Sequence, residues 1–399
     1  MTNNGTDLVK ELKRLDDTFH GSDEILGITL LTYMPYVDSS RGIMFTSHKK
    51  QAVVLNKTEF PSVFTNYENM LGEYSSYNIR AKGRLEVVNI IRKFDKFDTN
   101  KQPALVFVYD HDKEMYDVIV RKEVEDCAEK YGFTYDTSKI DEYEVGTFIE
   151  EGDTIYRPTS YDRFGNYGFG VNVPFMFAIK DDIIEDAIEI SEELAEYMDS
   201  TEVELVKISL NENHVPVNTY GDDENPKYFP NIGEKVKDKQ LMVKRMINNN
   251  HILFDLKASN MNRVLSSDII HYIDGEVVDI NIFSNKPRNE IPEARFNQQV
   301  LDYLDMSTRY YERIKEYTQE LIDSGVPCSS NIKVWNKNAK MFSDPEYRIK
   351  DENNSEFSNI VMYFLVKRYD VAKIGQKFAG RYGKTIIAAI YGDIYRKVL

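Results

Sequence analysis

The sequence predicts an α+β fold that is mostly β, and three observations support this prediction. Segments rich in β-branched residues and separated by turn residues recur within Ile79–Val124. Strand character returns at Asn359–Gly375. Between these regions, Ile291–Ser324 carries apolar residues at helical spacing and has no Gly or Pro over 293–323. This stretch predicts one long helix or a helical hairpin.

The amino-terminal elements follow from local patterns. Residues 1–25 are polar and charged, with a short helix predicted at "DLVKELKRLDD", and are assigned to an N-terminal arm. The apolar run after Leu26, the turn-rich "VDSSRG" and the apolar "KKQAVVL" ending at Leu55 predict a strand, a loop and a strand. The segments within Ile79–Val124 then predict a meander of antiparallel strands.

The composition excludes several classes of protein. The 399 residues are 42% hydrophobic, so the chain can bury sizeable cores in two or three domains. The 66 acidic residues outnumber the 50 basic ones, and the net charge of -16 argues against a protein that coats nucleic acid by bulk attraction. Cys127 and Cys328 lie far apart, which indicates a reducing compartment and neither a disulfide framework nor a zinc site. Ile25–Val37 is too short to span a membrane, so a cytoplasmic protein without a membrane partner is expected.

A basic segment near the carboxyl end, "KIGQKFAGRYGKT" at Lys373–Thr385, invites comparison with a phosphate-binding P-loop. A P-loop requires G-x-x-x-x-G-K-[ST]. Phe378 stands five positions before Gly383, where the first glycine of that motif belongs, and Gly375 and Gly380 are out of register. A free-standing ATPase therefore fails on spacing.

Two segments carry a more specific pattern. Taken alone, Val171–Leu194 predicts a buried strand, a turn and the start of a helix, and within it Glu185–Glu192 reads E-D-A-I-E-I-S-E (the acidic motif). The second is the basic motif, residues 375–384, which carries Gly375, Lys377, Ala379, Gly380, Arg381 and Gly383. Together they resemble the β subunit of multisubunit DNA-dependent RNA polymerases. That family has an apolar strand leading to E-D-A-I-x-I-S-E and, much later, G-D-K-x-A-G-R-x-G-N-K-G.

Two further segments match in the family's order. "MPYVDSSRGIMFTSHKKQAVVL" resembles a family segment with D-x-x-R-x-x-M and a later Q-A-V, here Asp38, Arg41, Met44 and Gln51. "GEVVDINIFSNK", Gly275–Lys286, resembles a strand of the family's inserted flap domain. A chain that holds only part of a β subunit is most similar to the gene-split polymerases of large bacteriophages.

The resemblance implies an incomplete double-psi β-barrel and hybrid-binding region with an inserted flap domain that carries the long helix or helical hairpin. Beyond the N-terminal arm 1–25, the resemblance divides the chain into three further segments. Residues 26–245 would form a catalytic-half core with the first part of the barrel, and 246–358 a flap-like insertion. Residues 359–399 would form a strand that returns to the barrel and would carry the basic motif, and another chain would complete the barrel.

Nucleotidyl transfer joins an RNA 3′ hydroxyl to the α-phosphate of a nucleoside triphosphate, so cations must surround the triphosphate. The resemblance places Lys377 and Lys384 at the phosphates of the RNA end and the entering nucleotide, with Arg381 beside them. Arg41 would clamp the triphosphate with its planar fork, and Gln51 would position RNA or template by hydrogen bonding. None of these residues is expected to be directly catalytic.

Glu185 and Asp186 are expected near the nucleotide-associated Mg²⁺, which the family holds mainly through aspartates of the other large subunit. No D-x-D-x-D run occurs in this chain. Five of these residues also have a purely structural explanation. Glu185 and Asp186 would be acids at a helix N-terminus, Arg41 an exposed loop arginine, and Lys377 and Lys384 part of a basic loop bound to acidic neighbours.

The implied partners are β′-like chains, the rest of a split β subunit, DNA template, nascent RNA, nucleoside triphosphates and a promoter-specificity factor at the flap. The expected location is the cytoplasm, that of the bacterial host for a viral protein, with a virion-packaged form as a variant. Lys384 and Thr385 follow Gly383 at once where the family has G-N-K-G, and the chain stops at Leu399. A catalytically inactive polymerase-like scaffold, or a fragment of an interrupted gene, that binds other subunits therefore remains an alternative.

Overall fold

The structure is a computed structural model of the chain. It describes residues 30–31, 34–50, 53–75, 77–94, 102–128, 130–162, 165–166, 168, 170–176, 187–211, 214–247, 266–285, 288–291, 296–343, 360–382 and 388–398.

The described residues form many strands and a few helices, so the fold is α+β and mostly β, as the sequence predicts. The strands are β1 (Ile79–Arg80), β2 (Leu85–Arg92), β3 (Ala104–Asp110), β4 (Met115–Arg121), β5 (Val124–Ala128), β6 (Tyr131–Asp136), β7 (Phe148–Ile149), β8 (Thr154–Pro158), β9 (Ala187–Ser191), β10 (Ser200–Leu210), β11 (His214–Pro216), β12 (Gln240–Ile247), β13 (Ser266–Tyr272), β14 (Glu276–Ser284), β15 (Ile360–Asp370), β16 (Lys377–Tyr382) and β17 (Ala388–Val398). The helices are α1 (Ser39–Lys50), α2 (Tyr67–Tyr74), α3 (Ser138–Asp141), α4 (Glu192–Tyr197), α5 (Gln298–Asp323) and α6 (Ser330–Ser343).

The predicted meander is confirmed as an antiparallel sheet in the order β4-β3-β2-β7. Strand β3 is buried along nearly its whole length because both faces of the sheet are covered. On one face, Val106 and Val108 pack in a core with Phe133. On the other, the ring of Phe107 meets that of Tyr317 of α5 edge-on, with centroids 4.8 Å apart. The continuous apolar run "ALVFV" in β3 reflects this double cover.

The largest sheet joins segments that are distant in sequence. Its order is β1-β8-β6-β10-β15-β14, with β5 on β6. Strand β10 pairs with β15 from Ser200↔Asp370 to Leu210↔Ile360, and β14 occupies the other edge of β15. These three strands come from the predicted segments 26–245, 359–399 and 246–358, so all three segments contribute to one sheet. The domain boundaries themselves stay predictions, as do the double-psi barrel and the flap.

The predicted long helix is confirmed as α5, and α6 makes it a hairpin. The side chain of Asn297 accepts a hydrogen bond from the backbone N–H of Val300 at 3.2 Å, which caps the start of α5. The first half of α5 packs against β10, β14 and β15, and the second half packs against the meander. Asn336 of α6 donates to Thr318 Oγ1 of α5 at 2.9 Å across the buried hairpin interface.

The prediction of a strand, a loop and a strand within 26–55 is wrong in the described part, where helix α1 occupies Ser39–Lys50. The Asp and Ser residues of "VDSSRG" are turn formers, but they are equally common at helix starts. The Asp38 carboxylate accepts hydrogen bonds from Ser40, including its backbone N–H at 3.2 Å. Phe45 then buries the inner face of α1 in a cluster with Leu30 and Leu31.

Within 171–194, where the sequence predicts a buried strand, a turn and the start of a helix, the helix start is confirmed and the buried strand is wrong for residues 171–176. Residues 171–176 have no regular structure, and Phe175 and Met176 are exposed. Asn172 donates to Glu59 Oε2 at 3.0 Å and accepts from the N–H of Ser62 at 3.0 Å, so this segment runs along another irregular stretch. Among the described residues of this region, the strand is β9, which begins at Ala187, and helix α4 follows it.

Candidate functional site

The described part of the basic motif, residues 375–382, consists of one strand and the end of the turn that precedes it. Strand β15 ends at Asp370 and β16 begins at Lys377, and we name residues 371–376 between them the junction turn. The Gln376 N–H donates to the Lys373 carbonyl at 3.2 Å, and the Lys373 N–H donates to Gln376 Oε1 at 2.7 Å. Gly375 has a φ of 88°, a left-handed conformation that favours glycine. The first glycine of the motif therefore serves the geometry of the turn.

The two motifs share one sheet, which we name the motif sheet (β9, β16 and β17). Strand β16 pairs antiparallel with β17, and β17 pairs parallel with β9. Lys377 is opposite Asp393, and Asp393 is opposite Ala187 on its other side. Because neighbouring strands lie about 4.8 Å apart, the Cα atoms of Lys377 and Ala187 lie about 10 Å apart. The basic strand is thus brought level with the residue that directly follows Asp186 in sequence.

The second half of the acidic motif forms a helix start. The Ser191 hydroxyl accepts a hydrogen bond from the backbone N–H of Leu194 at 3.1 Å, the usual contact of an N-cap serine. Glu192 and Glu193 occupy the first turn of α4, where the helix dipole favours negative charge. Ser191 and Glu192 therefore have a structural explanation that needs no ligand.

Helix α4 contacts the junction turn directly. The Ala372 N–H donates to the Ala195 carbonyl at 3.1 Å, and the side chains of Ile190, Ala195 and Ala372 are buried together. The acidic motif, which runs into α4, and the basic motif, which begins in the junction turn, are therefore joined through backbone and packing as well as through the motif sheet.

An ion pair closes the start of the junction turn. Asp370 Oδ2 lies 2.5 Å from Lys373 Nζ, and Asp370 Oδ1 accepts from the Val371 N–H at 3.1 Å. Burial opposes ionisation of Asp370. Hydrogen bonds with Lys373 and Glu202, together with the charges of Lys373 and Arg368, nevertheless hold the pKa of Asp370 below its ordinary value. Asp370 is therefore a carboxylate at neutral pH.

Arg41 lies on a different element, in the first turn of α1, and its side chain is exposed. Its Nη1 is 3.7 Å from Met44 Sδ, one helical turn further on. The hydrogen bonds from Ser40 to Asp38, just before the helix, lower the pKa of that carboxyl. The pattern D-x-x-R-x-x-M therefore places Asp38 at the helix start and Arg41 and Met44 on one face of the helix.

The remaining predicted site residues divide into two groups. Lys377 and Arg381 lie in strand β16 of the motif sheet. Glu185, Asp186, Gln51 and Lys384 lie outside the described residues. The roles of all seven residues stay predictions.

Sequence reasoning missed the residues that hold the junction turn, namely Asp370, Lys373 and Gln376. The spacing D-x-x-K at Asp370–Lys373 is visible in the sequence and is typical of a turn. The contact of Ala372 with Ala195 has no such signal because the two residues are far apart in the chain.

No group of three His, Cys, Asp or Glu side chains suited to a metal ion occurs in the described part of the chain. Within the same residues, no helix combines the length and the apolar composition needed to cross a membrane.

Comparison with known proteins bears on the family. The chain is 30% identical over 176 residues to the β subunit of DNA-directed RNA polymerase from Pseudothermotoga lettingae. This chain is similar to a bacterial β subunit. The match covers 42% of the chain and only 14% of the length of that relative. The chain matches no protein-family model. The predicted likeness to a polymerase β subunit is confirmed at this level, and the likeness to viral polymerases stays a prediction.

Proposed function

We propose that the chain is a β-like subunit of a DNA-directed RNA polymerase and that the motif sheet lines the site where RNA is extended. The observation that carries this proposal is the pairing of β9 and β16 with β17, which brings together the two motifs of the resemblance. The similarity to a bacterial β subunit also supports it. The chain would be an enzyme only within an assembly.

The chemistry of the site is electrostatic. Lys377 and Lys384 contact phosphates of the RNA end and of the entering nucleoside triphosphate, each as a compact point charge, and Arg381 lies beside them. Gly380 in β16 lets the backbone approach the ligand closely. Arg41 clamps the triphosphate from α1, and Gln51, just beyond that helix, positions RNA or template.

Mg²⁺ would supply charge neutralisation at the transferring phosphate. By the resemblance, the ion would be held mainly by aspartates of a partner subunit. Glu185 and Asp186, which directly precede β9 in sequence, would lie near the ion and contact it directly or through water. No step of the reaction is assigned to them as catalytic groups.

The assembly follows from the same resemblance. The motif sheet would be part of an incomplete double-psi β-barrel, completed by another chain of a split β subunit and faced by β′-like chains. Template DNA and nascent RNA would pass this surface. Residues 246–358 would form the flap, with the exposed face of α5 offered to a promoter-specificity factor. A phage polymerase acting in the host cytoplasm, or carried in the virion, fits this arrangement.

The test is co-purification followed by an activity assay. We expect the native chain to purify with large partner chains, and the complex to extend RNA on a DNA template. Lys377→Ala should lower RNA extension by about 100-fold, since a phosphate contact in a preorganised site is removed. Lys113→Ala, a change of an exposed lysine in the meander, is the control and should leave the rate unchanged. Full activity of the Lys377→Ala complex would contradict the site assignment.

A second candidate is a polymerase-like scaffold, or the product of an interrupted gene, that binds other subunits without catalysis. The observation that favours it is the departure at Gly383, which Lys384 follows directly where the family has an asparagine between them. Such a chain would purify with the same partners, but the complex would show equal RNA extension with and without Lys377→Ala.

A further inference from the structure

The junction turn is fastened at both of its ends. At its start, Ala372 donates to Ala195 of α4 and packs with Ile190. At its end, the backbone and side chain of Gln376 bond to Lys373, which is itself paired with Asp370. Six residues therefore connect the helix that follows the acidic motif to the strand that carries the basic motif.

The motif sheet makes a second connection between the same two motifs. Ala187, at the start of β9, is level with Lys377 through Asp393 of β17. The β9–α4 unit is thus joined to the turn–β16 unit at both ends, once through β17 and once through the Ala195–Ala372 bond. Movement of the junction turn would alter both connections together.

Strand β16 needs such an external anchor. It is six residues long and contains Gly380, a residue that offers no side chain to help fix the pairing register. A slip of one residue moves a strand by about 3.3 Å and turns its side chains to the opposite face. The point at which the chain enters β16 therefore decides where Lys377 stands relative to the acidic motif.

We infer that the junction turn sets the register of the basic strand against the acidic motif, with Asp370, Lys373 and Gln376 as positioning residues for nucleotide binding. The effect on nucleotide binding rests on the proposed function; the coupling of the two motifs does not. Lys373 does not itself contact the nucleotide: its ammonium is engaged by Asp370 at 2.5 Å.

The molecule offers a matched control for this role. Lys113 pairs with Asp110 at 2.6 Å with the same sequence spacing, and its side chain is 50% exposed, against 52% for Lys373. The two ion pairs are therefore similar in local chemistry and solvent screening. Only the second lies between the two motifs.

The first experiment is hydrogen–deuterium exchange on the full chain carrying Lys373→Met, Lys373→Arg or Lys113→Met. We expect Lys373→Met to raise exchange about two- to fivefold in both α4 and β16, since a partly buried ion pair is lost at their junction. Lys373→Arg keeps the cation and should behave as wild type. Lys113→Met should leave both elements unchanged. A rise confined to β16, or none, overturns the inference.

The second experiment measures RNA extension by the assembled polymerase. Lys373→Met should raise KM for the nucleoside triphosphate about tenfold with kcat within about twofold, because a displaced strand weakens nucleotide binding. Lys373→Arg should restore KM, and Lys113→Met should not change it. Equal KM for the two methionine variants overturns the positioning role. If the wild-type assembly extends no RNA, the proposed function falls, and the exchange experiment still decides whether the junction turn couples the motifs.

Discussion

Two turns of this molecule share the pattern Asp-x-x-Lys but differ in what they connect. Asp110–Lys113 follows β3 and leads to β4, which pairs with β3 over its whole length. Asp370–Lys373 follows β15 and leads to β16, which belongs to a different sheet. In the first case the neighbouring strands hold the turn. In the second, a contact with α4 does so.

The supporting cores differ as well. The β3–β4 turn extends from a sheet with cores on both faces, in which Val108 and Phe107 are fully buried. Around the junction turn, the described side chains form a small cluster centred on Ile190, Ala195 and Ala372. A similar Asp–Lys ion pair thus closes a self-supporting hairpin in one place and a junction in the other.

The largest expected effect is on the hairpin's core. Phe107→Ala should lower the free energy of unfolding by about 4 kcal/mol, because a fully buried ring packed on Tyr317 is replaced by a cavity. Urea unfolding measures this change. Phe148→Ala, at an exposed ring of β7 in the same sheet, is the control and should cost about 1 kcal/mol or less. Equal losses would mean that the meander does not depend on its two-sided core.

Replacing a glycine in one turn and introducing a glycine in the other should change the stability of the fold in opposite directions. Gly375 has a φ of 88°, and a Cβ added there would meet open space, so Gly375→Ala should cost about 1 kcal/mol through backbone strain alone. Glu114, which follows the first turn, has a φ of 50°, so Glu114→Gly should relieve backbone strain. After the greater freedom of glycine in the unfolded chain is subtracted, the net stabilisation should be about 0.5 kcal/mol. Thermal unfolding measures both. The same sign for the two variants would contradict the described backbone.

The smallest expected effect is on how the free energy of unfolding depends on pH under acidic conditions. Burial opposes ionisation of both Asp110 and Asp370, but their lysine partners hold both pKa values below the ordinary value of 3.8. A carboxyl with a lowered folded pKa stabilises the fold above its ordinary pKa, and this contribution is lost as the pH falls through the lowered value. Unfolding measured from about pH 5 to about pH 2.5 should therefore depend less on pH in Asp110→Asn and Asp370→Asn. An unchanged pH dependence in Asp370→Asn would show that the Asp370–Lys373 ion pair does not stabilise the junction turn.

Much of the fold was predictable from local pattern. The alternation and β-branched content of the segments around β2, β3 and β4 indicated the meander, and the absence of Gly and Pro indicated α5. The start of α1 was mistaken for a loop because Asp38 and Ser40 suit both, and only the burial of Phe45 decides between them. The apolar side chains at the start of 171–194 predicted a buried strand, whereas the structure leaves Phe175 and Met176 exposed.

The sequence by itself determined the family likeness, the two motifs, and the chemistry that Lys377 and Arg381 can offer, since these depend on residue type and spacing. It also showed that the Gly-Lys-Thr end is no P-loop. Only the tertiary structure decided that the two motifs share a sheet and that Ala372 bonds to Ala195. The physical reason is that strand pairing between distant segments depends on the packing of the whole chain, which no local pattern of residues encodes.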